Sequence, residues 1–310
     1  MHTVLAGGVG AARYLRGALE AFDPSLVTGI VNVGDDVVLH GLRISPDLDT
    51  CTYTLAGAID PERGWGLVDE SWQAMRELGR YGGENWFSLG DRDLGTHLYR
   101  TDRLAAGATL TEVTAEITAA WDLTCRLLPV TDDPMETRVT LADGREVGFQ
   151  EYFVGLQHDV PVQAVRFAGA DEARPTADTL AAISSATTLV IAPSNPIVSI
   201  GPVLAVPGVA EAVRARRGRN VAVSPIIGGK ALKGPADRML RELGEESTVV
   251  GVARRYRDLA STLVIDETDA DLADQVEAAG MRALVMPTIM SEPGVAQALA
   301  RACHEVGENA

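Results

Sequence analysis

The feature that most restricts this chain is its recurrent order: short apolar run, tight loop, amphipathic segment. "TVLAG" is a brief β-branched run. The glycine turn "GGVGAAR" follows, and then "AARYLRGALEAF" sets Leu15, Ala18, Leu19 and Phe22 on one helical face. "LVTGIVNVGDD" is a second apolar strand and ends in carboxylates. The second half repeats the pattern. "TLVIAPSNP", "NVAVSPIIGG", "STVVGVARRY", "STLVID" and "RALVMPTIM" read as strands; "VLAVPGVAEAVRAR", "PADRMLRELG", "DADLADQVEAAG" and "GVAQALARACHEVG" read as helices. Strands alternating with helices predict a mostly parallel sheet covered on both faces.

The middle differs. "LVDESWQAMRELGRYG" and "TLTEVTAEITAAW" are helical, and "TRVTLADGREVGFQEYFV" is a hairpin turning at Asp143-Gly144. The chain therefore reads as one α/β domain over 1–310. It has a Rossmann-like, doubly wound core (1–60 and 176–310) and a helical inserted subdomain at 61–175 carrying the β-hairpin. In such sheets ligands bind beyond the carboxyl ends of the strands. That rule brings together the loops at Gly7–Gly10, Asp35–Asp49, Ser194–Gly201 and Ile227–Gly234, with the insertion over one side.

Composition narrows the partners. Net charge is −16, from 43 acidic and 27 basic residues, and "RARRGR" at 214–219 is too short for a phosphate-backbone surface, so nucleic acid is excluded. Three widely spaced cysteines (Cys51, Cys125, Cys303) with no CxxC pair predict a reducing cytoplasm. "MHTVLAGGVG" lacks the basic and apolar regions of a signal peptide, and no apolar run is long enough for a membrane span.

Several stretches carry candidate chemistry. "LAGGVGAAR", read from Gly8, is G-x-G-x-x-R. It is either a phosphate-contacting loop at a helix start or a plain tight turn; Arg13 stands where the dinucleotide fingerprint has its third glycine. "APSNPIVSIGPVL" offers Ser194, Asn195 and Ser199 to a base or phosphate, or as helix caps. "SPIIGGKALKGPADR" clusters Lys230 and Lys233 in a ligand-facing loop, or leaves them as a solvated pair. "NVGDDVVLHGLRISPDLDT" crowds Asp35, Asp36, Asp47 and Asp49 with His40 and Arg43. Such carboxylates suit a hard cation such as Mg²⁺ or acceptance of a hydroxyl proton, with Asp35 or Asp36 free to cap or pair instead and Arg43 as the counter-charge. "GDRDLGTH" puts Asp91, Arg92, Asp93 and His97 at a loop-to-helix junction. Asp93 and His97, four apart, share a helical face, as a site or as an N-cap with an ion pair.

Taken in order, "LAGGVGAARYLRG", "VNVGDD", "HGLRISPDLDTCTYTLAG", "WFSLGDRDLGTHLYR", "APSNPIVSIGPVLAVPG" and "VSPIIGGKALKGPADRML" make the whole chain resemble the 2-phospho-L-lactate transferase family, also called the phosphoenolpyruvate transferase family, of coenzyme F-420 biosynthesis. The resemblance implies a transferase acting on a guanosine diphosphate-linked lactyl or enolpyruvyl donor. The acceptor is the terminal ribityl hydroxyl of 7,8-didemethyl-8-hydroxy-5-deazariboflavin, and GMP is released. It also implies Mg²⁺ and a homodimer.

On matching positions, Gly7, Gly8, Val9 and Gly10 would cradle the diphosphate. Ser194, Asn195 and Pro196 would sit by the guanosine, with Ser199 and Gly201 near phosphate, and Gly228, Gly229 and Lys230 would close over the donor. Asp47 and Asp49 would bind metal or activate the hydroxyl, with Asp36 next in line. Asp91, Asp93 and His97 would face the acceptor, His97 among the catalytic groups. His40 and Thr50 belong to the same substrate-facing stretch. The chain departs from the family near its end, where Pro287 stands in "MPTIM" at a position many members fill with Asp. Two other readings compete. One is a nucleotide-sugar-binding regulatory protein of the same fold, which has little use for "SPDLDT" and "GDRDL". The other is an NAD-dependent oxidoreductase, which Arg13 disfavours.

Overall fold

A computed structural model describes residues 1–310. The chain opens with β1 (His2–Ala6), α1 (Gly8–Ala21), β2 (Val27–Val31), β3 (Val37–Leu39), β4 (Leu42–Ile44) and α2 (Pro46–Leu55). The middle holds α3 (Gln73–Arg80), α4 (Asp93–Ala105), α5 (Leu110–Ala120), β5 (Arg126–Pro129), β6 (Glu136–Leu141), β7 (Glu146–Gly148) and β8 (Val162–Ala168). Then follow α6 (Ala177–Ser185), β9 (Thr188–Ile191), α7 (Gly201–Ala205), α8 (Val209–Arg214) and β10 (Asn220–Val223). The chain ends with β11 (Ile226–Ile227), β12 (Lys230–Ala231), α9 (Ala236–Glu242), α10 (Val249–Tyr256), β13 (Thr262–Ile265), α11 (Ala273–Ala278), β14 (Arg282–Val285) and α12 (Val295–Glu308).

Seven parallel strands form the main sheet in the order β14-β13-β10-β9-β1-β2-β5. Every residue of β1, β2, β9, β10 and β13 is buried, as expected for strands packed on both faces. The strand order reverses between β1 and β9, so the loops after these two strands part there and leave a crevice at their carboxyl ends. The doubly wound α/β reading holds, and the Asp143-Gly144 turn joins β6 to β7 in a separate three-stranded antiparallel sheet, β7-β6-β8.

Three expectations are corrected. "STVVGVARRY" is the helix α10, not a strand. Thr248 caps it by accepting from the Gly251 N–H, and Val249, Val252, Ala253 and Tyr256 recur at the spacing that buries one helical face. The β-branched run had mimicked a strand. The span 61–175 contains β5, which pairs with β2 at the edge of the main sheet, because its apolar Leu127 and Leu128 complete the cover beside β2. The stretch 35–49 is not one loop. It folds as the β3–β4 hairpin and then the first turn of α2, with Pro46 at its start, where a missing N–H costs nothing.

Candidate active site

A cleft of about 620 Å³ opens at the carboxyl ends of β1 and β9. The glycine loop, α2 and the Pro193–Ser199 loop line one side; Trp65, Phe87, Phe149 and Phe153, all from the span 61–175, line another. Gly10 is required by close approach, since a Cβ there would lie 2.2 Å from the Pro193 carbonyl oxygen.

Asp47 is fixed where the loop meets α2. Its Oδ1 accepts from the Gly8 N–H at 2.8 Å and its Oδ2 from the Asn32 amide at 2.9 Å. Burial outweighs these bonds and pushes its pKa up to about 6. Asp35, also in the cleft wall, is raised well above the usual carboxylate range by burial and then by the Asp47 charge, and its Oδ1 has no partner.

Asp49, also in the first turn of α2, meets a cation that the sequence reading had not singled out. The Arg100 guanidinium on α4 grips both its oxygens, Nη1 at 3.1 Å from Oδ2 and Nη2 on Oδ1. Arg43, the expected counter-charge, is exposed; its backbone N–H bonds to Thr101 and its carbonyl accepts from Arg100. The β4 pleat turns the Arg43 side chain outward, whereas α4 carries Arg100 inward beside His97. His97 lies 3.7 Å from Asp49 through Nδ1 and 3.3 Å from Asp93 through Nε2. Asp93 Oδ1 accepts from the Tyr53 hydroxyl at 2.5 Å. Burial opposes ionisation of Asp93, but His97, Tyr53 and Arg100 together hold it below the usual range.

Of the expected site residues, Gly7, Gly8, Val9, Gly10, Asp47, Asp49, Thr50, Asp93, His97, Ser194, Asn195 and Ser199 do line this one cleft. Ser194 presents a buried hydroxyl without a partner, while Asn195 Oδ1 caps the following turn through the Ile197 N–H.

The others fall outside the cleft lining. Asp36 turns behind the wall, accepts from Ser45 Oγ at 2.6 Å, and is pushed up to about 8 by burial. His40 is at the exposed β3–β4 turn with φ +54°. Asp91 caps α3, accepting from Ser71, Gln73 and Ala74. Pro196 is buried in its turn, and Gly201 faces the Phe167 ring. Gly228 and Gly229, both with positive φ, are the two-residue turn joining β11 to β12, and Lys230 is exposed beside them. Lys233 lines the cleft instead. Arg13, noted only as a missing glycine, also lines it.

For a metal, the expected pair was Asp47 with Asp49. Asp49 is already matched by Arg100, and the donor atoms within 4.8 Å of one another belong to Asp49, Asp93 and His97. At the end of the chain, Pro287 leaves the neighbouring Thr288 held by Asp266, which accepts from its N–H at 2.9 Å and its hydroxyl at 3.0 Å.

Fold and site together define a parallel α/β protein with a ligand cleft at the sheet's switch point, walled by glycine backbone, carboxylates and aromatic rings. The profile of the family described as 2-phospho-L-lactate transferase CofD matches residues 3–292, and the chain belongs to that family of transferases. It is 46% identical over 316 residues to the phosphoenolpyruvate transferase of Mycobacterium avium (strain 104), covering 94% of each chain. Identity to the phosphoenolpyruvate transferase of Streptomyces griseus is 45% over 310 residues, covering 98% of each. Protein BH3568 of Bacillus halodurans, in crystal form, shares the fold with a TM-score of 0.64 at 18% identity, covering 97% of this chain and 98% of that one. No helix is long and apolar enough to cross a membrane.

Proposed function

We propose that this chain transfers a phosphoenolpyruvyl or phospholactyl group from its guanosine diphosphate-linked donor to the terminal ribityl hydroxyl of 7,8-didemethyl-8-hydroxy-5-deazariboflavin, in coenzyme F-420 biosynthesis. The observation that carries this reading is one cleft joining a glycine loop at a helix start, buried carboxylates and an aromatic wall. The printed names of the relatives favour the enolpyruvyl donor.

In the proposed arrangement, the donor diphosphate lies on the Gly7–Gly10 loop, where the α1 N-terminus favours negative charge. The acceptor ring packs against Trp65, Phe87, Phe149 and Phe153. The ribityl oxygen bonds to the phosphorus bearing the three-carbon acid. The bond from that phosphorus to the bridging oxygen breaks, and GMP leaves with the electron pair. The hydroxyl proton passes to the carboxylate–imidazole cluster of Asp49, Asp93 and His97, which Arg100 holds in place. Phosphoryl transfer demands in-line positioning and charge neutralisation more than a strong base.

Mg²⁺ fits Asp35 and Asp47. Both are hard oxygen donors in the cleft wall, Asp35 is destabilised by the Asp47 charge, and neither forms an ion pair with a basic side chain. Bound there, the ion would neutralise charge on the phosphoryl oxygens. A homodimer in the cytoplasm completes the reading.

The test is incubation with the deazaflavin, Mg²⁺ and each guanosine donor. GMP and phosphorylated deazaflavin should form, faster with the enolpyruvyl donor. No product with either donor, alongside tight nucleotide-sugar binding, would replace this reading with the regulatory protein.

A further inference from the structure

The arginines and lysines lining the cleft are Arg13, Arg63 and Lys233. Arg63 is committed: it pairs with Asp60 at 2.9 Å and its guanidinium lies 5.4 Å from both the Trp65 and Trp72 ring centres. Arg13 and Lys233 form no ion pair. Arg13 sits behind the glycine loop on α1, at the end of the cleft that suits a diphosphate.

Lys233 lines the cleft against the loop that carries Trp65. A Cβ on Gly64 would lie 2.9 Å from its Nζ, so the ammonium rests on the backbone next to Trp65. On its other side Gly234 approaches the Phe153 ring, within 3.9 Å of a Cβ position. Trp65 is 44% exposed and Leu232 is 60% exposed; both face the cleft. A free cation at the edge of an aromatic, apolar wall suits a flat ring that carries a negative oxygen. The ring would cover the apolar surface, and the oxygen would supply the counter-charge that no protein carboxylate provides to Lys233.

The proposed acceptor has such a group. Its ring hydroxyl is conjugated through the heterocycle to a carbonyl, which makes it a vinylogous acid. Riboflavin, with methyl groups along that edge, has no such hydroxyl. We propose that Lys233 reads an anionic ring oxygen, making the Trp65–Phe153 end of the cleft a subsite for planar, negatively charged heteroaromatic rings and setting selectivity against the neutral flavin ring. This rests on the acceptor placement given above.

The test is equilibrium binding of the full chain to two probes without donor, the 8-hydroxy-5-deazariboflavin acceptor and riboflavin, read by fluorescence quenching. The wild type should prefer the hydroxylated ring by about tenfold. Lys233→Met should cut that preference to within about twofold by weakening only the hydroxylated probe, and Lys233→Arg should keep most of it. Because Lys233 is exposed, both variants should retain the wild-type circular dichroism spectrum. Equal affinities in the wild type, or an unchanged preference in Lys233→Met, overturn the assignment. Turnover measured in parallel separates the two readings. Product formation with a Lys233-independent preference sinks Lys233 alone. A Lys233-dependent preference without product from either donor keeps the subsite and sinks the transfer reaction.

Discussion

Arg100 on α4 and Asp49 on α2 form a buried, two-pronged ion pair that ties the helix from the middle of the chain to the first turn of the helix whose Asp47 meets the glycine loop. Removing one partner of such a pair leaves the other charge buried and uncompensated. Arg100→Met should therefore cost about 3–5 kcal/mol of stability by urea unfolding. Arg100→Lys should recover part of that cost but little turnover, because an ammonium cannot hold both carboxylate oxygens in one plane. Equal stability of Arg100→Met and the wild type would refute the role given to the pair.

Asp47 should govern magnesium dependence. Asp47→Asn keeps the shape and the bond from the Gly8 N–H but removes the charge and the bond accepted from the Asn32 amide. Its kcat should fall by about 100-fold or more, roughly 2.7 kcal/mol of barrier, and the Mg²⁺ concentration for half-maximal rate should rise. Initial rates across a Mg²⁺ titration decide this; an unchanged half-maximal concentration counts against Asp47 as a ligand.

Gly10 is a packing constraint before it is a phosphate contact. Gly10→Ala drives a methyl to within 2.2 Å of the Pro193 carbonyl oxygen, which is backbone and cannot swing away. The loops after β1 and β9 must separate, at a cost of about 3 kcal/mol, together with lost donor binding. Thermal unfolding and donor affinity should change together.

Acid sensitivity should trace in part to His2. Burial, then His304 and the chain's amino terminus, push its pKa down to about 3, against about 6.5 when unfolded. The native state thus resists a proton that the unfolded chain accepts. The stabilising effect is fully present above pH 6.5 and falls as pH drops toward 3, by at most about 1.4 kcal/mol per pH unit. Between pH 7.5 and pH 5, His2→Phe should lose about 2 kcal/mol less than the wild type in urea unfolding. Parallel losses would rule His2 out.

Local order determined much of this protein. Runs such as "TVLAG" and "TLVIA" are apolar after a leading threonine, too short for a helix and set between glycine or proline turns, so the parallel core and the position of the crevice were legible in the chain. Asp93 and His97 could be paired by helical spacing alone. Tertiary structure decided which charges meet. Sequence proximity made Arg43 the partner of the Asp47–Asp49 cluster, but a strand's pleat turned it to solvent, and Arg100 arrived from another helix. Asp35 and Asp36 are neighbours, yet only Asp35 lines the cleft, and of two nearby lysines Lys233 lines it while Lys230 sits past a tight turn. The aromatic wall brings Trp65 and Phe87, distant in sequence, to Phe149 and Phe153, which alone are near neighbours in the chain and stack on each other. Periodicity reports which face of an element is buried. Which group lies opposite depends on how separate elements cross, and that is set by packing of the whole chain.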